Sequence, residues 1–135
     1  MKKKLSFTAL MLVCVFSAVC ASSNWSDAHT YQLNSGDGWK TRAVNNEKMG
    51  NEKDDTNNSK YDVCTLSKTM WSSPKFRVVN SNNEPVSGEI TTAKAKRCAT
   101  GDDNTGIAGR VYYGSVKPAW NQSGSDRIKL QFRVY

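Results

Sequence analysis

The 135-residue sequence predicts an all-β fold, a small antiparallel β-sandwich or barrel-like domain with long polar loops and one disulfide. Three observations predict it. Apolar and polar residues alternate with period two in the last strand candidate, clusters of turn-forming residues punctuate the chain, and two cysteines remain once an N-terminal leader is set aside.

The leader comes first in the chain. Lys2, Lys3 and Lys4 form a positive n-region, and Leu5 to Val19 is an apolar run relieved only by small hydroxyl residues. Val19 and Ala21 are small residues placed for a cut after Ala21, so residues 1–21 are expected to be a cleaved signal peptide and residues 22–135 a single secreted β domain. The run is too short for a permanent span and nothing similar follows it, so no integral membrane span is expected. Ser17-Ala18-Val19-Cys20 departs from the Leu-Ala-Gly-Cys box of bacterial lipoproteins at the bulky Val19, and acylation of Cys20 is not expected.

Cleavage removes three of the 19 basic residues and none of the 12 acidic ones, lowering the formal net charge from +7 to +4. That mild excess argues against nucleic acid, whose binding rests on a dense Lys/Arg footprint. Of the four cysteines, Cys14 and Cys20 fall in the leader. Cys64 and Cys98 remain, and an even pair in an exported chain reads as one disulfide. Neither sits in a Cys-x-x-Cys or beside a histidine, so no metal and no cofactor is expected. From Ser22 onward Leu, Ile, Val and Phe number 16 of 114 residues, under the roughly 20% line where disorder becomes an alternative. The low net charge, four Trp and five Tyr favour a folded domain with a thin core.

In chain order, Tyr31 to Leu33 and Trp39 to Val44 are short strand candidates. Asn45 to Lys60 holds seven charges and five Asn but one large apolar side chain, Met49, and reads as a polar surface loop. Tyr61 to Leu66 and Phe76 to Val79 read as strands, Thr91 to Ala99 as a helix-tolerant stretch without an apolar stripe, and Ile107 to Val116 as a strand between glycines. Finally Ile128, Leu130, Phe132 and Val134 alternate with Lys129, Gln131 and Arg133, as a half-solvated antiparallel strand requires. Asn34 to Gly38, Asn80 to Asn83, Gly101 to Asn104 and Asn121 to Gly124 supply the turns.

Catalytic signals are weak. His29 is the single histidine and, beside Asp27, reads as a solvated residue near the domain start. The common hydrolase and zinc motifs are absent, and among the carboxylates no spacing singles out an acid/base pair. Gly101 to Gly106 lacks the Lys-Ser/Thr of a phosphate loop and the distal glutamate of a calcium loop. Asn24-Trp25-Ser26, Asn57-Asn58-Ser59 and Asn121-Gln122-Ser123 match the glycosylation sequon by chance in a chain rich in Asn and Ser.

What remains is charge. The strand alternation sends Lys129 and Arg133 to the face opposite the apolar residues, and Arg127, Arg110, Lys94, Lys96 and Arg97 are further cations. With Tyr112, Trp120 and Tyr135 around them, they are candidates for an anionic-ligand patch, the core of which is Arg110, Arg127, Lys129, Arg133, Trp120 and Tyr135. The expected function is a secreted, non-enzymatic binding or interaction protein acting at a cell envelope or competitor surface, with an antimicrobial or toxin-like role as one version. Its partner is expected to be an anionic cell-envelope polymer or an exported protein. Alternatives are an inhibitor or structural partner of another exported protein, and a small glycan hydrolase.

The Lys-rich leader, Trp39-Lys40-Thr41-Arg42, Phe76-Arg77-Val78-Val79-Asn80, Val86-Ser87-Gly88 and the closing strand together resemble the small exported, bacteriocin-like β proteins of Firmicutes. The sequence differs from them in its cysteine pair and in lacking a Gly-Tyr-Trp-type ending. The resemblance implies secretion and a β-rich fold, and carries no functional residues with it.

Overall fold

A computed structural model describes residues 25–55, 57–102 and 106–135. The expected leader, with Cys14 and Cys20, lies outside the described residues, as do Asn24 of the first sequon and Asp103 and Asn104 of the expected Gly101 to Asn104 turn, whose first two residues instead end a strand.

Eight strands are present, β1 (His29–Asn34), β2 (Gly50–Glu52), β3 (Lys60–Lys68), β4 (Lys75–Val79), β5 (Ile90–Thr91), β6 (Arg97–Asp102), β7 (Val111–Lys117) and β8 (Ser125–Val134). They form two four-stranded sheets, in the orders β1-β8-β3-β6 and β2-β7-β4-β5. Every pairing is antiparallel. The all-β expectation therefore holds, and no helix occurs among the described residues.

The strand with the cleanest alternation occupies the position that most needs it. β8 lies between β1 and β3, so both its edges are hydrogen-bonded, and it contains neither Gly nor Pro to interrupt the ladders. Ile128, Leu130, Phe132 and Val134 are fully buried. They meet Phe76 of the other sheet, whose ring centroid is 5.6 Å from that of Phe132 and 5.9 Å from that of Tyr61 on β3. These three rings join the sheets into one sandwich core with Tyr31, Leu33, Val63, Val78 and Val116. Gly114 of β7 leaves room for the Phe76 ring and Met49, since a Cβ there would lie 2.6 Å from Met49 Cε and 2.8 Å from Phe76 Cε2. The Tyr61 ring likewise covers Gly101, its neighbour across β3 and β6.

Cys64 and Cys98 face each other across β3 and β6 and are disulfide-bonded, closing a sequence separation of 34. The bridge lies on the outer side of its sheet, because Val63 and Thr65 take the inner positions.

Several local expectations change. The Asn45 to Lys60 segment is no mere surface loop: it contributes β2 and buries Met49, Asn51 and Lys53. Its polar side chains serve where a ladder would otherwise end. Asn51 Oδ1 accepts the amide of Val134 at 2.7 Å, and the Lys53 ammonium donates to the main-chain oxygens of Asn58 and, at 2.7 Å, Tyr135. The Thr91 to Ala99 stretch forms β5, a turn and the start of β6, with Lys96 at φ 62°. Trp39 to Val44 forms no strand and is held by the bridges Lys40 to Val116 and Arg42 to Lys48 and by the Val44 amide on the Thr30 carbonyl at 2.8 Å. Strand β7 starts at Val111, because 107–110 is taken up by a turn with Gly109 at φ 80°. His29 is buried at the head of β1 opposite Leu130, on the inward side shared by Tyr31 and Leu33.

Candidate functional site

The outward residues of β8 separate into two environments. Arg133 is committed within the protein: its guanidinium contacts the Asp62 carboxylate at 3.4 Å and the Tyr135 hydroxyl, and lies over the rings of Tyr135 (4.2 Å) and Trp25 (4.8 Å). Burial of Asp62 would raise its pKa, but hydrogen bonds from Thr100 and Tyr135 and the charge of Arg133 outweigh it and hold the carboxyl below its ordinary value. The same Tyr135–Asp62 hydrogen bond raises the phenol above its usual pKa. Arg127 and Lys129 instead border a shallow cleft of about 250 Å³ with Thr30, Ser67, Lys68 and Thr69. Burial, followed by the nearby charge of Lys94, lowers the pKa of Lys68.

The other expected contributors lie elsewhere. Arg110 and Tyr112 border a different cleft, beside the 80–82 turn on the second sheet. Trp120 stands in the connection between β7 and β8, 95% exposed. Lys94 and Lys96 belong to the turn before β6, which opens with Arg97. The sequence patch is thus distributed over both sheets, Arg127 and Lys129 sharing one cleft and Arg110 and Tyr112 another.

A larger basic cleft occupies the outer face of the second sheet, about 570 Å³ in volume. Its floor is set by strand alternation. With Phe76, Val78, Gly114 and Val116 turned inward, their neighbours Arg77 on β4 and Ser115 on β7 must face outward, and the two are register partners. Its rim is the 39–42 segment, which the reciprocal backbone hydrogen bonds of Lys40 with Val116 (2.7 and 2.9 Å) tie to β7. That attachment places the Trp39 ring 4.1 Å from the Arg77 guanidinium and 4.9 Å from the Lys117 ammonium. One indole therefore holds two cations through the negative face of its π system.

Lys40, Arg42 and Lys48 complete the positive wall. Each is oriented by a carbonyl: Lys40 donates to Gln32 (2.9 Å), Arg42 to Asn46 (2.6 Å) and Lys48 to Ser81 (3.3 Å). Lys48 also lies 5.0 Å from the Tyr113 ring centroid. Carbonyls orient these cations without cancelling their charge. Among the described residues the cleft lining includes no carboxylate; Asp37 pairs with Lys40 from outside at 2.6 Å and Glu89 approaches Lys117 at 3.9 Å. The Lys40 hydrogen bond is the main reason that Asp37 has a lowered pKa.

Two polar atoms in this wall are buried without a hydrogen-bond partner among the described residues, Ser115 Oγ and Arg77 Nε. Burial lowers the pKa of Arg77, partly opposed by the charge of Glu89. The two orphan atoms are covered, and it is the clustered cations that are complementary to an oxyanion-bearing ligand. They provide no nucleophile–base pair. No cluster of three or more His, Cys, Asp or Glu able to hold a metal occurs among the described residues.

Sequence reasoning missed this cleft. The alternation around Phe76 already turns Arg77 outward, but nothing in the sequence pairs β4 with β7 or carries Trp39 across to them. No protein-family model matches the chain, and no curated protein or solved structure matches it either.

Proposed function

We propose that the protein is exported and acts outside the cytoplasm as a non-enzymatic binding protein for an anionic envelope polymer, received in the Trp39 cleft. The observation carrying this reading is the gathering of Lys40, Arg42, Lys48 and Arg77 around a cleft whose described lining contains no carboxylate. Asp37 offsets Lys40; the other like charges brought together in this way repel one another, and the polymer supplies the missing counter-charge. The cations line an open cleft, each held to a different carbonyl or ring, and do not converge on one point. A chain with repeated charges, such as a phosphodiester polymer of the teichoic acid type, matches that spacing better than a single small anion. The Lys-rich leader supports export, and the Arg127–Lys129 cleft adds positive field on the first sheet.

Poly(glycerol phosphate) titrated into the protein tests the reading. With Lys40 already paired to Asp37, the three charges of Arg42, Lys48 and Arg77 predict a slope of log affinity against log salt of about −2, taking roughly 0.7 of a counterion per charge as for a flexible strand. Lys48→Gln/Arg77→Gln is expected to cut that slope to roughly a third and weaken binding at low salt while the far-UV spectrum is retained. Binding that ignores salt, or that is unchanged in the folded double variant, would exclude the cleft as the site.

A further inference from the structure

Two tryptophans are exposed to an extent that their surroundings enforce. Trp71 is 75% exposed in the 69–74 connection between β3 and β4, and Trp120 is 95% exposed in the 118–124 connection between β7 and β8. Such large apolar side chains are costly to leave in water. Neither can retract easily. Trp71 stands between Met70 and Ser72, both buried, while the Lys68 ammonium holds the Ser72 carbonyl at 2.9 Å. Trp120 sits in a turn closed by the Gln122 amide on the Ala119 carbonyl (3.1 Å), and the buried Gln122 side chain donates to the Leu33 carbonyl at 2.8 Å.

Both connections leave the sandwich at one end. β3 runs out where β8 begins, with Lys68 opposite Ile128 and the Thr69 amide on the Arg127 carbonyl at 2.9 Å. On the other sheet, Lys117 at the end of β7 is opposite Lys75 at the start of β4. The 92–96 turn joins this end through Thr92, whose amide and hydroxyl bond the Pro74 carbonyl at 2.9 and 2.8 Å. It carries Lys94, whose charge acts on Lys68, and Lys96, whose amide bonds the Thr65 carbonyl of β3 at 2.7 Å, while Thr69 at the same end donates to Asp126 at 3.1 Å. Neither indole lines any of the three clefts described above.

We infer that this end of the sandwich docks on an anionic lipid bilayer, with Trp71 and Trp120 entering the headgroup region and Lys68, Lys94, Lys96 and Arg127 resting on the lipid phosphates. Indoles favour the membrane–water interface because their ring is apolar and their N–H still finds a hydrogen-bond acceptor there. Neighbouring lysines and arginines each add attraction to an anionic surface, screened by salt. Convex tips without a cleft suit a soft bilayer that closes around them, whereas a saccharide platform needs polar groups beside the ring. The surface is separate from the Trp39 cleft, and the docking does not depend on the polymer reading.

The test uses vesicles of phosphatidylcholine with and without phosphatidylglycerol, the latter also with bromine on the acyl chains near the headgroup. The expected result is blue-shifted, bromine-quenched tryptophan fluorescence on the anionic vesicles. Trp71→Ala/Trp120→Ala should lose the quenching and weaken partitioning by roughly tenfold or more. Single variants, each retaining one tip indole, serve if the double variant unfolds, and each is expected to lose part of the quenching. Three results would overturn docking: no quenching in the wild type, quenching and partitioning that persist in the folded double variant, or indole-dependent binding to soluble glycans with none to vesicles.

Discussion

Replacing Phe76 with Ala is expected to lower the unfolding free energy by about 3–5 kcal/mol, the usual cost of emptying a buried aromatic site. The ring is fully buried, is the residue that packs against both Tyr61 and Phe132 of the opposite sheet, and covers the space left open at Gly114. Two features keep the site from collapsing. Backbone ladders on both sides hold β4 between β5 and β7, and the cross-sheet neighbours are large rings that cannot shift far. A domain of this size is stable by about 5–15 kcal/mol, and the thin aliphatic core places this one toward the lower end, so the variant should unfold well before the parent in urea. Val44→Ala, at a site 53% exposed, should stay within about 0.5 kcal/mol. A loss below 1 kcal/mol for Phe76→Ala would mean that the two sheets do not share a packed core.

The second large effect is expected from the bridge. Cys64→Ser/Cys98→Ser should cost about 3–4 kcal/mol, from loop-closure entropy over the separation of 34. Cys98 is exposed and the pair lies on the outer side of the sheet, so removing the two sulfurs opens no core cavity. The loss should arise in the unfolded chain, which expands when the link is gone. That origin has its own signature, a urea m-value that rises together with the fall in midpoint. Unchanged stability, or two free thiols in the native protein, would contradict it.

The sequence was most informative where one face of a strand is buried and the other is wet. Strand β8 was legible residue by residue because Ile128, Leu130, Phe132 and Val134 cannot share a face with Lys129 and Arg133. The disulfide was legible because two cysteines allow one intramolecular pairing. Segments that bury polar groups were not legible. Asn51 and Lys53 resemble any solvated residues in composition, and only the three-dimensional positions of the Val134 amide and the Tyr135 main-chain oxygen explain their burial. His29 was misread for the same reason, since its buried position comes from pairing with β8, which lies 90 or more residues further along the chain.

The candidate site divides in the same way. Alternation showed that Arg127, Lys129 and Arg133 face outward, with Tyr135 on the same side as Arg133, but Asp62 and Trp25 engage Arg133 through long-range contacts with no local signal. The Trp39 cleft depends on β4 pairing with β7 and on the 39–42 segment bridging to Val116. Both are long-range choices that no window of sequence encodes. Trp120 was recognisable as an aromatic in a turn; the exposure of Trp71 depends on Met70 and Ser72 being anchored on either side of it.

The central claim, that an anionic polymer is received over Arg77 and Ser115 beneath the Trp39 rim, is tested most directly by nitrogen-resolved NMR during titration with poly(glycerol phosphate). The predicted result is a saturable shift of the Trp39 indole N–H, the Arg77 Nε–H and the Ser115 amide, reversed by added salt, with the amides of Ile128, Leu130 and Phe132 unmoved. Shifts confined to the Arg127–Lys129 face, or none at concentrations where binding is saturated, would contradict it.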